Sequence, residues 1–216
     1  MTRQGTIQFY EQVDWEKIDE VTPFEIKQYV KEVHKYLLKH VKGNVLILEV
    51  GCGTGDFIKA IAGQVKKIVG LDVSPKLIKI ARQNLSGIKN ISLIQGDVWS
   101  LKLPKHHFDF IISMWILPNI DEPIEFIKKV KSSLKETGVI FIDTYSENAT
   151  FERIKMYKKY GLHVLEHNEE EIVIQEGLTE KVYSRKDLEK LFFSAGMHVE
   201  IIKIHKFGYL CKAKKL

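Results

Sequence analysis

Val45–Gly55, read as VLILEVGCGTG, decides the fold of this 216-residue chain. It begins with branched apolar residues from Val45 to Val50, broken only by Glu49. A short run of this kind predicts a strand buried on both faces. It ends in glycines at alternate positions, Gly51, Gly53 and Gly55. Glycines directly after a strand predict a tight turn that a ligand can approach closely, because no Cβ stands in the way. From Asp56 a helical pattern follows through Phe57, Ile58, Ala60 and Ile61. Strand, glycine turn and helix form the first unit of a nucleotide-binding α/β fold.

The stretches on either side extend that unit. Upstream, Thr22-Pro23-Phe24-Glu25 predicts a helix start, with Thr22 as cap, Pro23 in first position and Glu25 closing a capping box. Ile26, Val30, Val33, Leu37 and Val41 give that helix one apolar face. Downstream, strands are predicted at 68–71, 91–94, 108–113 and 139–142. Helices alternate with them: Ser74-Pro75 opens one, and Asp121-Glu122-Pro123 opens another with Leu134 inward and Gly138 as its stop. Such alternation predicts a parallel sheet with helices on both faces. Right-handed crossovers put the strand C-termini on one edge, where ligands of open α/β sheets bind. From Tyr145 the rhythm breaks. A helix over 146–160 and a hairpin or irregular insert follow, then a helix capped by Ser184 and two strands close enough to pair antiparallel.

Composition bounds the function classes. The hydrophobic fraction is 44% and the formal net charge +5, with a pI of about 9.0. Arginine occurs only at Arg3, Arg82, Arg153 and Arg185, so the excess is lysine spread over several elements. That permits acidic partners without establishing them. Cys52 and Cys211 stand far apart and define neither a disulfide framework nor a zinc site. No signal-peptide pattern or membrane-length apolar run is present in the sequence. The expectation is a single cytoplasmic domain over 1–216.

The chemistry of the strand edge narrows the ligand. Asp72 ends the second strand 21 residues after Gly51, a spacing suited to a carboxylate that accepts both ribose hydroxyls. Asp97, with Val98 beside it, ends the third strand where an adenine amino group and an apolar slot would be met. A pyrophosphate would prefer G-x-G-x-x-G, but here Asp56 takes the place of the third glycine. With Glu49 just before the turn, the pocket is acidic. It suits a ligand with an ammonium or sulfonium centre.

These stretches together resemble the class I S-adenosylmethionine-dependent methyltransferases, most closely their small, type-11-like members. LEVGCGTG (48–55) resembles the first motif, VGLDVS (69–74) the second, QGDVWSLKLP (95–104) the third, FDFIISMWILPNI (108–120) the fourth and LKETGVIFID (134–143) the fifth. Residues 183–204 resemble the C-terminal helix and sixth strand. The resemblance implies a Rossmann-like sheet of seven strands, mostly parallel with the last antiparallel, and an insert over 145–183 on the substrate side. It implies S-adenosyl-L-methionine as cofactor. Gly51, Cys52, Gly53 and Gly55 would lie under its methionine and ribose. Glu49 would orient the loop or reach the amino group. Asp72 and Val73 would meet the ribose, Asp97 and Val98 the adenine, and Ser113 and Met114 would flank the sulfonium. Residues 1–42 would supply a lid and a helix, with Tyr10 and Trp15 as candidate lid residues. Family members often carry histidine after the fourth strand, whereas this chain has Pro118-Asn119.

Methyl transfer from a sulfonium is an in-line displacement that alignment and desolvation can accelerate. No residue stands out as a base. His106 and His107 precede the fourth strand, at the edge opposite the ligand. His163, His167 and Tyr183 lie in or beside the insert and could face substrate. The fourth strand is followed neither by Asn/Asp-Pro-Pro-Tyr nor by Pro-Cys, which argues against two nucleic-acid and protein chemistries. A catechol-type metal site would need an acid where Ser113 stands opposite Asp143, so no metal is expected. The leading expectation is a small-molecule methyltransferase. The alternatives are an RNA or protein methyltransferase with a basic rim of Lys206, Lys212, Lys214 and Lys215, a non-catalytic cofactor-binding module, and a nicotinamide oxidoreductase.

Overall fold

The computed structural model describes residue 20, residues 22–175 and residues 178–216. Tyr10 and Trp15 lie outside the described residues. A helix α1 (Phe24–His40) precedes strand β1 (Gly43–Val50). Then come α2 (Asp56–Ile61), β2 (Val65–Asp72), α3 (Pro75–Asn84), β3 (Ile91–Gln95) and β4 (Phe108–Ser113). After α4 (Pro123–Lys131) and β5 (Leu134–Tyr145) the insert supplies α5 (Thr150–Lys159), β6 (Val164–His167), β7 (Glu171–Ile174) and β8 (Leu178–Lys181). The chain continues through α6 (Arg185–Ser194), β9 (Met197–Ile204) and β10 (Gly208–Lys215).

The main sheet has the order β3-β2-β1-β4-β5-β10-β9. All its pairings are parallel except those of β10, which runs antiparallel to both β5 and β9. β1 sits between β2 and β4, with Ile47 opposite Ile68 on one side and Phe110 on the other. Its side chains alternate between two cores. Ile47 joins α1, α2 and α3 on one face, and Leu48 and Val50 join α4 and α6 on the other. Both faces are covered, which is why the strand reads as an apolar run rather than an alternation. Among the described residues no helix is long and apolar enough to cross a membrane.

Several boundaries differ from the sequence expectation, each for a local reason. Pro23 is the cap residue of α1 and no side chain caps it. Thr22 instead brings its hydroxyl 3.0 Å from the Tyr160 hydroxyl, so a tertiary contact replaces the expected capping box. The core face of α1 is Ile26, Tyr29, Val33 and Leu37. Tyr29 takes the place expected of Val30, which turns to a cavity described below. Leu134 and Gly138 belong to β5, not to the preceding helix. A Cβ at Gly138 would lie 2.7 Å from Leu134 and 3.0 Å from the Asp109 carbonyl. This glycine therefore permits close packing inside a strand and does not end a helix.

The insert is a three-stranded antiparallel sheet, β6-β7-β8, rather than a hairpin. Its third strand, LTEK, escapes an apolar-periodicity search because the inward positions are Leu178 and Glu180. Glu180 is buried there because α5 buries an arginine. Arg153 is fully buried, and Glu180 accepts hydrogen bonds from its guanidinium and from the Tyr157 hydroxyl. The guanidinium also stacks 4.7 Å from the Tyr145 ring centroid. Burial works against the charge on Arg153, but Glu180 and Tyr157 outweigh it and raise the pKa. Deleting one partner of a buried pair strands the other charge. Glu180→Ala is expected to cost about 3–5 kcal/mol of unfolding free energy in urea titrations.

Candidate active site

Beyond the C-terminal ends of β1, β2 and β4 lies a cavity of about 630 Å³, within the usual range for a small-molecule site. Its floor is the glycine turn. The Gly51 and Cys52 amides donate to the Leu71 carbonyl at 2.8 and 3.0 Å, which fastens the turn to β2. All three glycines have positive φ, at 77° for Gly51, 52° for Gly53 and 84° for Gly55. They serve different ends. A Cβ at Gly51 would lie 2.6 Å from Ile116, and one at Gly55 would lie 2.7 Å from Leu85, whereas one at Gly53 would meet nothing within 4 Å. Gly51 and Gly55 allow neighbouring side chains to close in. Gly53 presents bare backbone to the cavity.

Asp72 is the second anchor of the turn. One carboxylate oxygen accepts from the Gly53 amide at 2.8 Å and the other from the Ser74 amide at 2.9 Å. The Ser74 hydroxyl in turn caps α3 by accepting from the Leu77 amide at 3.1 Å. Asp97 accepts from the Trp99 amide at 2.9 Å, which shapes the turn after β3. Glu49 is 3% exposed, and its Oε2 has no hydrogen-bond partner. Burial, then Asp72 and Asp56, push its pKa well above the ordinary carboxylate range. Cys52 is also buried, and burial holds its thiol in the protonated form by raising the pKa.

Nine of the expected site residues line this cavity: Glu49, Gly51, Cys52, Gly53, Asp72, Val73, Asp97, Val98 and Met114. Two do not. Gly55 packs under α3, and Ser113 is buried with its hydroxyl unpartnered, one residue short of the lining. Tyr10 lies outside the described residues. The sequence reading missed His34 on α1, Phe57 on α2, Trp99, Ile116 and Asn119, all of which line the cavity. His34 is four residues after Val30, so both fall on the same helix edge, but neither fits the core stripe. Of the insert residues considered for substrate contact, His163 and His167 are exposed and Tyr183 is buried with its hydroxyl unpartnered.

Trp115 forms the wall nearest the insert and holds a left-handed backbone, φ 67°. A non-glycine residue there stores about 1–3 kcal/mol unless its surroundings enforce it. Asp143, at the end of β5, does so by accepting from the Trp115 amide at 2.7 Å. Its other oxygen accepts from the Tyr29 hydroxyl of α1 at 3.1 Å. Trp115 also packs edge-on against Tyr145, with ring centroids 4.8 Å apart. The insert reaches the same wall: Asn119 donates to Glu180 at 3.4 Å, and Lys181 donates to the carbonyls of Ile120 and Asp121 at 3.3 and 3.0 Å.

Of the expected basic rim, Lys206 lies in the turn before β10, its carbonyl accepting from the Ser146 hydroxyl at 3.2 Å at the end of β5, whereas the lysines of β10 itself lie elsewhere. Lys215 binds Glu136 at 2.8 Å, beside the start of β5, and Lys212 binds Glu200 at 3.0 Å. Because β10 runs antiparallel, its lysine end points away from the cavity edge. His106 lies at that same far edge, 3.0 Å from Glu136. Among the described residues no group of three or more His, Cys, Asp or Glu side chains is placed to hold a metal ion.

A family model described as a methyltransferase domain matches residues 41–205. The chain belongs to the methyltransferase domain family. It is a class I, type-11-like methyltransferase that depends on S-adenosylmethionine. This methyltransferase is similar to the malonyl-[acyl-carrier protein] O-methyltransferase of Paenibacillus sp. strain JDR-2, at 30% identity over 67% of the chain and 58% of that protein. It therefore spans little more than half the length of that relative. It is also 26% identical to a demethylmenaquinone methyltransferase of Staphylococcus epidermidis, over 80% of the chain and 78% of that protein. Among solved structures, a Pyrococcus horikoshii OT3 protein superposes with a TM-score of 0.75 at 21% identity, covering 97% and 99% of the two chains. A SAM-dependent methyltransferase from Aquifex aeolicus gives 0.67 at 18% identity, covering 94% and 98%. Both share the fold of this methyltransferase.

Burial raises the pKa of Asp143 to about 7, against the pull of its bonds to Trp115 and Tyr29. An unfolded Asp titrates near 4, so the folded protein holds a proton that the unfolded chain releases. This contribution to stability is present at low pH and lost as pH rises from about 4 to about 7. Glu49 acts in the same direction. Asp143→Asn is therefore expected to flatten, without abolishing, the fall in unfolding free energy across that window, as followed by denaturant titration at several pH values.

Proposed function

We propose that this methyltransferase moves the methyl group of S-adenosylmethionine to a small-molecule acceptor, in the cytoplasm. The observation that carries the reading is the union of one open glycine, Gly53, with an acidic, largely apolar cavity at the strand edge. The bare Gly53 backbone would carry the methionine and ribose portion. Asp72, whose carboxylate is held at the cavity edge by the Gly53 and Ser74 amides, would accept from the ribose hydroxyls. Asp97 would take the adenine amino group, with Val98 packing against the ring. Glu49, buried with an open oxygen, would take the ammonium. A buried carboxylate without a partner is costly, and a cationic ligand removes that cost.

When bound, the cofactor supplies an activated methyl group on a positively charged sulfur. The chain's own part is to align and to exclude water. Met114 and Trp115 follow β4 and would border the sulfonium. Asp143 fixes Trp115, and the Tyr29–Tyr145–Trp115 ring cluster stiffens that side of the wall. The insert, joined to the wall through Asn119 and Lys181, would cover the acceptor. The names of the relatives, a malonyl-[acyl-carrier protein] O-methyltransferase and a demethylmenaquinone methyltransferase, support an acceptor group of small size, in the first case carried on a protein. Buried Cys52 and Cys211, both free, support a reducing compartment.

Asp72→Ala is expected to weaken S-adenosylmethionine binding at least tenfold in calorimetry, since hydrogen bonds to charged groups contribute about 1.5–3 kcal/mol each. Unchanged affinity would remove Asp72 from the ribose site. Gly53→Val should place a side chain in the open floor and abolish binding. A folded variant that still binds would show that the cofactor lies elsewhere.

A further inference from the structure

Six carboxylates line the cavity: Glu49, Asp56, Asp72, Asp97, Asp121 and Glu122. Among its described lining residues the one side chain able to carry positive charge is His34; no lysine or arginine reaches it. S-adenosylmethionine brings two cationic centres, which suit such a wall, and one carboxylate, which does not. An unopposed carboxylate among six others would be repelled strongly in a site of reduced dielectric. It needs a cationic partner, and among the described lining residues His34 is the one available.

His34 is well placed for that role. It sits one turn beyond Val30 on α1, and both residues face the cavity. Its ring lies 5.1 Å from that of Phe57, the second residue of α2. α2 begins directly after the glycine turn, so His34 stands beside the end of that turn, where the amino-acid portion of the cofactor would extend. We propose that His34 holds the carboxylate of the methionine moiety, which completes a two-ended grip whose other end is Glu49. This rests on the S-adenosylmethionine reading above.

The two ends have a linked protonation chemistry. His34 is faced by Asp56 from α2 and, across the cavity, by Glu49 from β1 and Asp72 from β2. Burial lowers its pKa, and Asp56 opposes that shift only in part. Burial raises that of Glu49. Before binding, both groups thus favour their uncharged forms. An arriving carboxylate favours imidazolium, and an arriving ammonium favours carboxylate. One proton leaves Glu49 and one joins His34, so the empty cavity avoids two buried charges and the filled one contains two ion pairs. The carboxylate end should then lose affinity as pH rises through the histidine range, and the ammonium end should gain affinity as pH rises through the raised range of Glu49.

The test compares S-adenosylhomocysteine with its decarboxylated analogue, which keeps the ammonium, on the full chain by calorimetry. At pH 6 the wild-type protein should prefer the carboxylate-bearing ligand at least tenfold, and the preference should shrink by pH 9. In His34→Ala, checked for an unaltered unfolding midpoint, that preference should disappear or reverse at every pH. The wild-type comparison alone stays decisive if that variant does not fold. No preference for the carboxylate in the wild type, or a preference that survives in His34→Ala, would overturn the assignment while leaving the cofactor reading intact. Failure of both ligands to bind the wild-type protein would instead overturn the cofactor reading, and this assignment with it.

Discussion

Two amides donated to one carbonyl hold this site together. Gly51 and Cys52 both bond the Leu71 oxygen, so the chain cannot leave β1 without staying on β2. Asp72, the next residue along β2, then reaches back to the Gly53 amide. These three bonds bend the glycine turn across the strand ends and leave Gly53 facing the cavity. The positive φ angles of the turn are their consequence, and only glycine adopts them without strain. The position of α2, and through Phe57 that of His34 on α1, follows from where the turn ends.

A second fixed point lies on the other side of the cavity. Asp143 ties the turn after β4 to α1 through Trp115 and Tyr29. Tyr29 is itself seated over Gly208 of β10, where a Cβ would lie 2.3 Å from its ring. One carboxylate therefore couples β5, the wall residue and the N-terminal helix. A small residue on the antiparallel strand leaves room for the ring. Glu180 and Arg153 do comparable work for the insert, and Asn119 links that pair to the cavity wall. The buried charges are concentrated at places where elements distant in sequence must be held in register.

Much of this was legible in the residues. β4 begins and ends where FDFIIS does: a polar loop precedes it, Phe110–Ile112 form its apolar run, and Ser113 closes it. Ser74 and Pro75 start α3 as their chemistry requires. What could not be read was decided by tertiary contact. The Thr22 hydroxyl pairs with that of Tyr160 rather than capping a helix. β8 buries a glutamate, which no apolar pattern announces. His34 carries no motif and lies off the apolar stripe, so only the meeting of α1 with the glycine turn reveals it. Ser113 stops one residue short of the cavity lining that Met114 enters, because a buried strand end and the first cavity-facing residue look alike in sequence.

The antiparallel strand has a bearing on how the chain comes to be folded. β10 lies between β5 and β9 yet is made after both. Until it emerges, β5 is an open apolar edge, and β9 has no sheet to join. The pairing partners Tyr145 and Gly208 are 63 residues apart, with the insert and α6 between them. Closure is thus a late, long-range event, of the kind that is slow and leaves strand edges exposed in the meantime. The α1 core face and the Asp143 anchor both meet Tyr29, which rests on this last strand. A nascent chain would hold the nucleotide half of its sheet well before it could support the wall that faces the methyl acceptor.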